Sequence, residues 1–355
     1  MTNVKVAIWG FGAMGQGMGR MILNKTGVEI VGVCDRNASR AGKSIFEILG
    51  MKGDQGQPDV QIYDDIDKAL GNKGCDIALL CTDSFTEKAF EKLEILTNKG
   101  VNVITIAEEM AYPAAQQPEL AAKIDEMAKK NGVSVLGTGI NPGLVMDLLA
   151  VLLSACMVDV KKVMCKRVNS LSPFGPTVMR EQGVGLTVTE FEEGLKNHTV
   201  AGHVGFAESI AMIANGLGID TDDFKQQMVP IITDIDRKSP YGFAAAGNLA
   251  GVNMTAQAYK NGEVVIDMYH PQQIEPEMVG VATGDYVELT GTPPVSMAIK
   301  PEIEGGLGTI AMGVNCIPQV INADPGLITM LDIPVPRAIM GDFRKLIKEC
   351  KKIVK

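Results

Sequence analysis

Apolar runs bounded by turn residues recur along the first part of the chain, at Val4 to Trp9, Val28 to Cys34, Ile77 to Cys81, Val101 to Ile106 and Val133 to Leu136. Between them lie stretches with helical spacing, Ala13 to Asn24, Ala38 to Leu49, Phe85 to Thr97 and Pro118 to Lys130. Gly27, Gly100 and Gly132 fall where those helices should stop. Strand and helix in alternation predict βαβ units, and so one doubly wound parallel sheet of five strands.

After Leu136 the pattern changes. Gly137-Thr138-Gly139-Ile140-Asn141-Pro142-Gly143 suits neither a helix interior nor a strand, and it leads into an apolar run, Leu148 to Val158, which reads as a buried helix. The domain junction is placed there. Beyond it, strands are expected at Val160 to Asn169, Gly251 to Tyr259, Val264 to Tyr269, Tyr286 to Thr290 and Val295 to Ile299, with a helix at Val204 to Asn215. Lys260-Asn261-Gly262-Glu263 puts an Asn-Gly turn between two of the strands, a strong hairpin signal, so this sheet should be largely antiparallel. Ile310 to Val320 reads as helical, with Pro318 making its far end uncertain. Phe343 to Lys355 has one apolar face and several cations, which suit a packed terminal helix better than a membrane anchor.

The expected fold class is therefore α/β: a doubly wound parallel sheet over residues 1–143 and a second, α+β domain on a largely antiparallel sheet over 144–305. A helical segment, 306–355, returns to the first domain. A length of 355 residues suits two domains. Hydrophobic residues at 46% and charged residues at 21% describe an ordinary folded, water-soluble chain. A net charge of −9 repels phosphate backbones, so nucleic acid is not an expected partner. The longest apolar run falls short of the roughly 20 residues that span a bilayer, and no basic region with a long apolar segment precedes Val4. Neither a membrane nor secretion is expected, and the location expected is cytoplasmic. The seven cysteines are scattered without a C-x-x-C pair, and the three histidines include no metal-gripping helix pair, so no disulfide framework and no metal site is expected.

Chemistry begins at Gly10-Phe11-Gly12-Ala13-Met14-Gly15, a G-x-G-x-x-G directly after a strand and opening a helix. Gly10 permits the tight turn, Gly12 lets backbone approach a pyrophosphate, and Gly15 lets the helix pack on the strand. The helix N-terminus adds free N–H donors. Asp35 follows at the end of the second strand, where a carboxylate accepts from both hydroxyls of an adenosine ribose. The first domain thus reads as a Rossmann domain. Arg36 and Arg40 stand beside the ribose position, so NAD is favoured and NADP tolerated. Cys81 and Thr82 end the strand beyond the topological switch, where the nicotinamide half of such a cofactor lies. Glu108 and Glu109 leave the next strand at the sheet's carboxyl edge; successive residues point oppositely, so at most one faces the cofactor crevice.

Several stretches together resemble the 2,4-diaminopentanoate dehydrogenase family: the glycine-rich opening, Glu108-Glu109-Met110-Ala111-Tyr112-Pro113, the Gly137 to Gly143 turn, Tyr269-His270-Pro271, Gly291-Thr292-Pro293-Pro294 and Gly305-Gly306. The family is related to the native amine dehydrogenases and shares its general plan with dihydrodipicolinate reductase and meso-diaminopimelate dehydrogenase. The paired histidines and Lys-x-Asp-Ala-Pro-Ser-Gly stretch of dihydrodipicolinate reductase are missing. The resemblance implies NAD(P)-dependent oxidative deamination of 2,4-diaminopentanoate at C4, a step of ornithine fermentation. It makes Glu108 the acid/base with Glu109 as fallback, and Arg167 and His270 the grip on the substrate carboxylate. The loop Ser172 to Thr177 reads either as a pocket lid with Phe174 as its apolar wall or as an ordinary surface turn, and Asn141 is an expected cofactor contact. The resemblance also implies a homodimer acting on a small diamino acid. Two other readings stay open: an amino-acid or semialdehyde dehydrogenase of the homoserine or diaminopimelate type, and a non-catalytic dinucleotide sensor.

Overall fold

The computed structural model describes residues 2–51, 56–72 and 74–348. Its first strands follow the apolar runs. β1 (Val4–Trp9) and β2 (Val28–Cys34) flank α1 (Ala13–Leu23), whose buried Gly15, Met18, Gly19 and Ile22 fall at the i, i+3, i+4, i+7 spacing of a stripe facing a sheet. Next come α2 (Ile45–Leu49), β3 (Ile62–Tyr63) and α3 (Ile66–Leu70), the two helices capped by Ser44 and Asp65. The helix expected from Ala38 is thus much shorter. Asn37 draws the chain into a turn instead: its carbonyl accepts from Arg40 and Ala41, and its side chain from Ser39. β4 (Ile77–Leu80), α4 (Thr86–Asn98), β5 (Asn102–Thr105), α5 (Pro118–Asn131) and β6 (Ser134–Gly137) complete the N-terminal run.

The middle of the chain holds α6 (Leu148–Ser154), β7 (Asp159–Ser170), α7 (Pro176–Glu181), α8 (Val188–Lys196), α9 (Phe206–Leu217) and β8 (Asp223–Ile232). A two-residue ladder of β9 (Arg237–Lys238) and β10 (Phe243–Ala244) precedes β11 (Leu249–Lys260), β12 (Glu263–Gln273), β13 (Gly284–Thr292) and β14 (Val295–Ile299). After β14 come α10 (Gly305–Asn315), α11 (Ile317–Ile321) and β15 (Gly326–Ile328). The chain divides into two compact units, Met1–Ile140 with Gly305–Lys355, and Asn141–Glu304.

In the first unit the described strands form one sheet, ordered β15-β6-β5-β4-β1-β2-β3, and every pairing is parallel. Two of these seven strands, β3 and β15, are additions to the five expected; two or three residues are too few to register as an apolar run. α10 packs along α1, Ile310 lying over Gly17. The expected helix from Ile310 to Val320 breaks at Cys316, and Pro318 sits in the first turn of α11, where its missing N–H is not needed. Of the helix expected over Phe343 to Lys355, the described part is a single 3-10 turn, Phe343–Leu346; positions 349–355 lie outside the described residues.

The second unit's main sheet runs β14-β13-β7-β12-β11-β8, antiparallel except between β7 and β12. The Asn-Gly signal makes the β11–β12 hairpin: Lys260 pairs with Glu263, and Asn261 and Gly262 both take positive φ, 52° and 80°. β8 was not expected, because an edge strand needs no buried face and Asp223 to Gln227 is exposed throughout. The run from Leu148, expected to be a buried helix, stops at Ser154; only Ala150 is fully buried, and Leu152 and Val158 are exposed. One face of α6 meets α9, β13 and β7, and those contacts cover only part of it. Among the described residues no helix is long and apolar enough to cross a membrane.

One close approach holds the end of β5 against β6. A Cβ on Gly137 would lie 2.0 Å from the Met110 carbonyl oxygen, in the 3-10 turn Glu108–Ala111 that follows β5. Backbone cannot yield as a flexible side chain does. Gly137→Ala should therefore lower unfolding stability by about 3 kcal/mol, the upper part of the overpacking range, as a denaturant titration would read. An unchanged midpoint would show that the turn is free to move.

Candidate active site

The glycine-rich loop joins β1 to α1 in the first unit. Gly10 has φ 95°, and a side chain there would meet the Cys81 carbonyl at 2.7 Å and Thr82 at 2.8 Å, so the loop lies tight against the end of β4. At Gly12 the opposite holds: a Cβ would meet nothing within 4 Å, and no side chain caps α1 there. The helix N-terminus is thus left with open space and uncapped N–H groups, which suit a pyrophosphate. Ala13 and Met14 begin the helix. The Phe11 ring is buried in the core, so Phe11 offers a ligand only backbone.

Asp35 ends β2 as expected and is largely buried. Its carboxylate accepts from Phe11 N–H at 2.6 Å, Asn37 N–H at 2.7 Å and Arg40 Nε at 3.0 Å. Three of its roughly four acceptor positions are used, so it shapes the glycine loop and keeps one for a hydroxyl. Arg40 is tied to Asp35, whereas Arg36 is exposed. Cys81 packs against Met18 Sδ at 3.7 Å, and burial pushes its thiol up to about 12, which leaves it protonated and inert. Thr82 is exposed and donates to Asp83. These features fit a dinucleotide.

The two adjacent glutamates part company. Glu109 is buried, and its carboxylate accepts from Thr86 N–H at 2.5 Å, the first N–H of α4. It is a helix cap held by the dipole, and the fallback base reading is corrected accordingly. Glu108 opens the 3-10 turn after β5 and is half-buried.

The second unit gathers a polar cluster on one face of its sheet. Arg167 and Asn169 alternate on β7 and so share a face; Asp285 stands directly opposite Arg167 on β13. Arg167 is 2% exposed, with Nη1 donating to Asp285 and Nη2 to the Ile303 carbonyl at 2.7 Å. Arg167, expected to grip the substrate carboxylate, is thus already held on one side by a buried ion pair. Burial pushes the Asp285 carboxyl up, against the pull of Arg167. His270, on β12, is buried, its Nε2 2.9 Å from Asn169 Oδ1 and its Nδ1 3.5 Å from Asn141 Nδ2. Asn141, expected as a cofactor contact, is therefore placed beside His270.

His203 completes the cluster and was not among the expected site residues. Its ring meets His270 edge-on, centroids 4.8 Å apart, and its buried Nε2 has no hydrogen-bond partner among the described residues. Burial, then the field of Arg167, pulls His203 down to about 4; burial, His203 and Arg167 hold His270 well below the usual imidazole range. Both rings are neutral near pH 7. The loop carrying His203 presses inward because Gly202 and Gly205 leave room: side chains there would strike Met254 at 2.6 Å and Pro142 at 2.6 Å. That Gly-His-Val-Gly spacing was the available signal. Phe174, expected as a pocket wall, packs with Leu171, Met179 and Ile274 in a small apolar cluster. Among the described residues no group of His, Cys, Asp and Glu could hold a metal.

Residues 144–349 match the family described as 2,4-diaminopentanoate dehydrogenase C-terminal domain, and residues 4–138 match the oxidoreductase family with an NAD-binding Rossmann fold. The chain is 58% identical to 2,4-diaminopentanoate dehydrogenase of Acetoanaerobium sticklandii, with 100% of both chains covered. It is 23% identical to an amine dehydrogenase of Streptomyces virginiae, over 95% of this chain and 98% of that one. Among solved structures, amine dehydrogenase from Mycobacterium smegmatis superposes with a TM-score of 0.84 at 26% identity, covering 96% of this chain and 98% of that one. A protein with an open glycine loop, a buried aspartate at the end of its second strand and these full-length matches belongs to the 2,4-diaminopentanoate dehydrogenase family of NAD-binding oxidoreductases.

Proposed function

We propose that this chain catalyses the NAD(P)-dependent oxidative deamination of 2,4-diaminopentanoate at C4, giving 2-amino-4-oxopentanoate, ammonia and the reduced cofactor. The observation that carries the reading is 58% identity, end to end, to a dehydrogenase of that name. Gly10 to Gly15 and Asp35 hold the cofactor, which when bound supplies the hydride acceptor. The carbon bearing an ammonium cannot release hydride until nitrogen regains its lone pair, so a carboxylate must take that proton and later help water add. Glu108 takes this role; Glu109 is spent on α4. The carboxylate of the substrate is held by the second unit's cluster, Arg167 supplying charge and the Asn169 amide a donor, with His203 and His270 packed beside them. His203 Nε2, buried and unpartnered, is the atom with most to gain from a ligand.

The same reading includes a homodimer. Phe224, Val229 and Ile232 are exposed on the edge strand β8, with Phe243 nearby in sequence, and a second copy is the proposed cover. A cytoplasmic site of action suits free thiols at Cys34, Cys75, Cys81, Cys165 and Cys316. The reaction is assigned to ornithine breakdown.

With the purified protein and NAD+, 2,4-diaminopentanoate should produce NADH while homoserine and meso-diaminopimelate do not; equal rates with all three would overturn the substrate. Glu108→Gln should lower kcat by about 100-fold or more, the usual effect of losing a general base, with cofactor affinity kept. Glu109→Gln should act on stability rather than turnover. For His203 the folded pKa lies below the unfolded value, so the unfolded chain takes up protons first as pH falls. Stability should decline from about pH 6.5 toward 4, and His203→Gln should flatten part of that decline in pH-dependent melts. Sedimentation should give a species of twice the chain mass, and a single monomer peak would remove the dimer.

A further inference from the structure

The first unit has a second concavity, a groove of about 700 Å³ formed by the C-terminal half of α5, α11, the edge strand β15 and the segment after it. It lies at the β15 end of the sheet. In the strand order, β6, β5 and β4 separate it from the glycine loop at β1, so it is not the dinucleotide site. Nor is it a place for another strand to pair: the Leu327 N–H donates to Asp125 Oδ1 at 3.1 Å.

The charges in the groove divide into those already used and those not. Lys129 pairs with Asp125 at 2.7 Å, and Asp332 accepts from Thr329 N–H and Oγ1, each at 2.8 Å. Arg337, Lys348 and Asp324 also line it, and among the described residues none of their side chains has an ion pair. Gln319, on α11, is 8% exposed, and its Oε1 is a buried acceptor without a partner. The unused groups are thus two cations, one anion and one neutral acceptor. Guanidinium and ammonium side chains bind a carboxylate; a carboxylate and an amide oxygen receive an ammonium. A purely anionic ligand would leave Asp324 repelled, and a purely cationic one would leave Arg337 and Lys348 unanswered.

We infer that this groove binds the zwitterion of a small α-amino acid, with the ligand's carboxylate on Arg337 and Lys348 and its ammonium on Asp324 and Gln319. The wall it would touch continues toward the end of β5. Met330 Sδ lies 3.0 Å from Thr138 Oγ1, and burial, then the charge of Asp332, raises the phenol of Tyr112, just past the Glu108–Ala111 turn. A ligand here would therefore rest on the wall that leads to the turn carrying Glu108 without entering the dinucleotide site. This inference rests on the proposed function only in naming amino acids as the compounds the protein meets.

The test uses the full chain without cofactor and L-norvaline as probe, which has the backbone of a five-carbon amino acid and no amine at C4. Calorimetry should show saturable binding that Arg337→Glu, Lys348→Glu and Asp324→Lys each weaken about tenfold or more, the loss of one charged contact. Pentanoate and pentylamine, each with one of the two charges, should bind at least about tenfold more weakly than norvaline. The variants should keep turnover with 2,4-diaminopentanoate alone within about twofold, and melting should verify that they fold. Norvaline binding that no groove substitution alters, pentanoate binding equal to norvaline, or no saturable binding at all would each overturn the site. Failure of the proposed reaction would appear separately, as no NADH formation, and leaves these binding measurements readable.

Discussion

A guanidinium buried to 2% exposure imposes a condition on everything around it in the second unit. Removing two charges from water is costly, and only close pairing plus further hydrogen bonds offsets it. The sheet meets that condition by register: β13 runs antiparallel to β7 and sets Asp285 opposite Arg167, and the Ile303 carbonyl receives a second N–H. Once fixed, the cation governs its neighbours. It joins burial in keeping His203 and His270 neutral, so that two imidazoles can stand edge to edge without repulsion. Asn169 reaches His270 because it is two residues from Arg167 on the same strand face.

The first unit shows how neighbouring residues of one type come to serve different ends. Glu108 and Glu109 leave β5 together, but a 3-10 turn replaces the strand there, and one carboxylate swings onto the N-terminus of α4. The cap anchors the turn, and Gly137 lets the turn lie flat against β6. Glu108 is therefore carried on backbone fixed from both sides.

What could be read from the sequence follows from how strongly each feature marks a single residue or a long run. The five longer strands of the first sheet, the Asn261-Gly262 hairpin and Asp35 at the end of β2 are marked by apolar runs, by a dihedral requirement and by fixed spacing. β3 and β15 are too short for periodicity, and β8 is polar because nothing covers it. His203 carries no mark in the sequence beyond its flanking glycines, because its place depends on burial beside another ring. Which glutamate caps a helix, and that Arg167 is already paired with Asp285, depend on contacts between residues far apart in sequence.

The division of the chain also orders events in time. The first unit needs residues from both ends: Ile310 of α10 lies over Gly17 of α1, and β15 closes one edge of the sheet whose first strand begins at Val4. During synthesis from the N-terminus, the middle unit, Asn141–Glu304, has all its residues out of the ribosome before α10 emerges. The dinucleotide-binding half must wait for the last stretch of the chain, so the part of the protein that begins first is the part that is completed last.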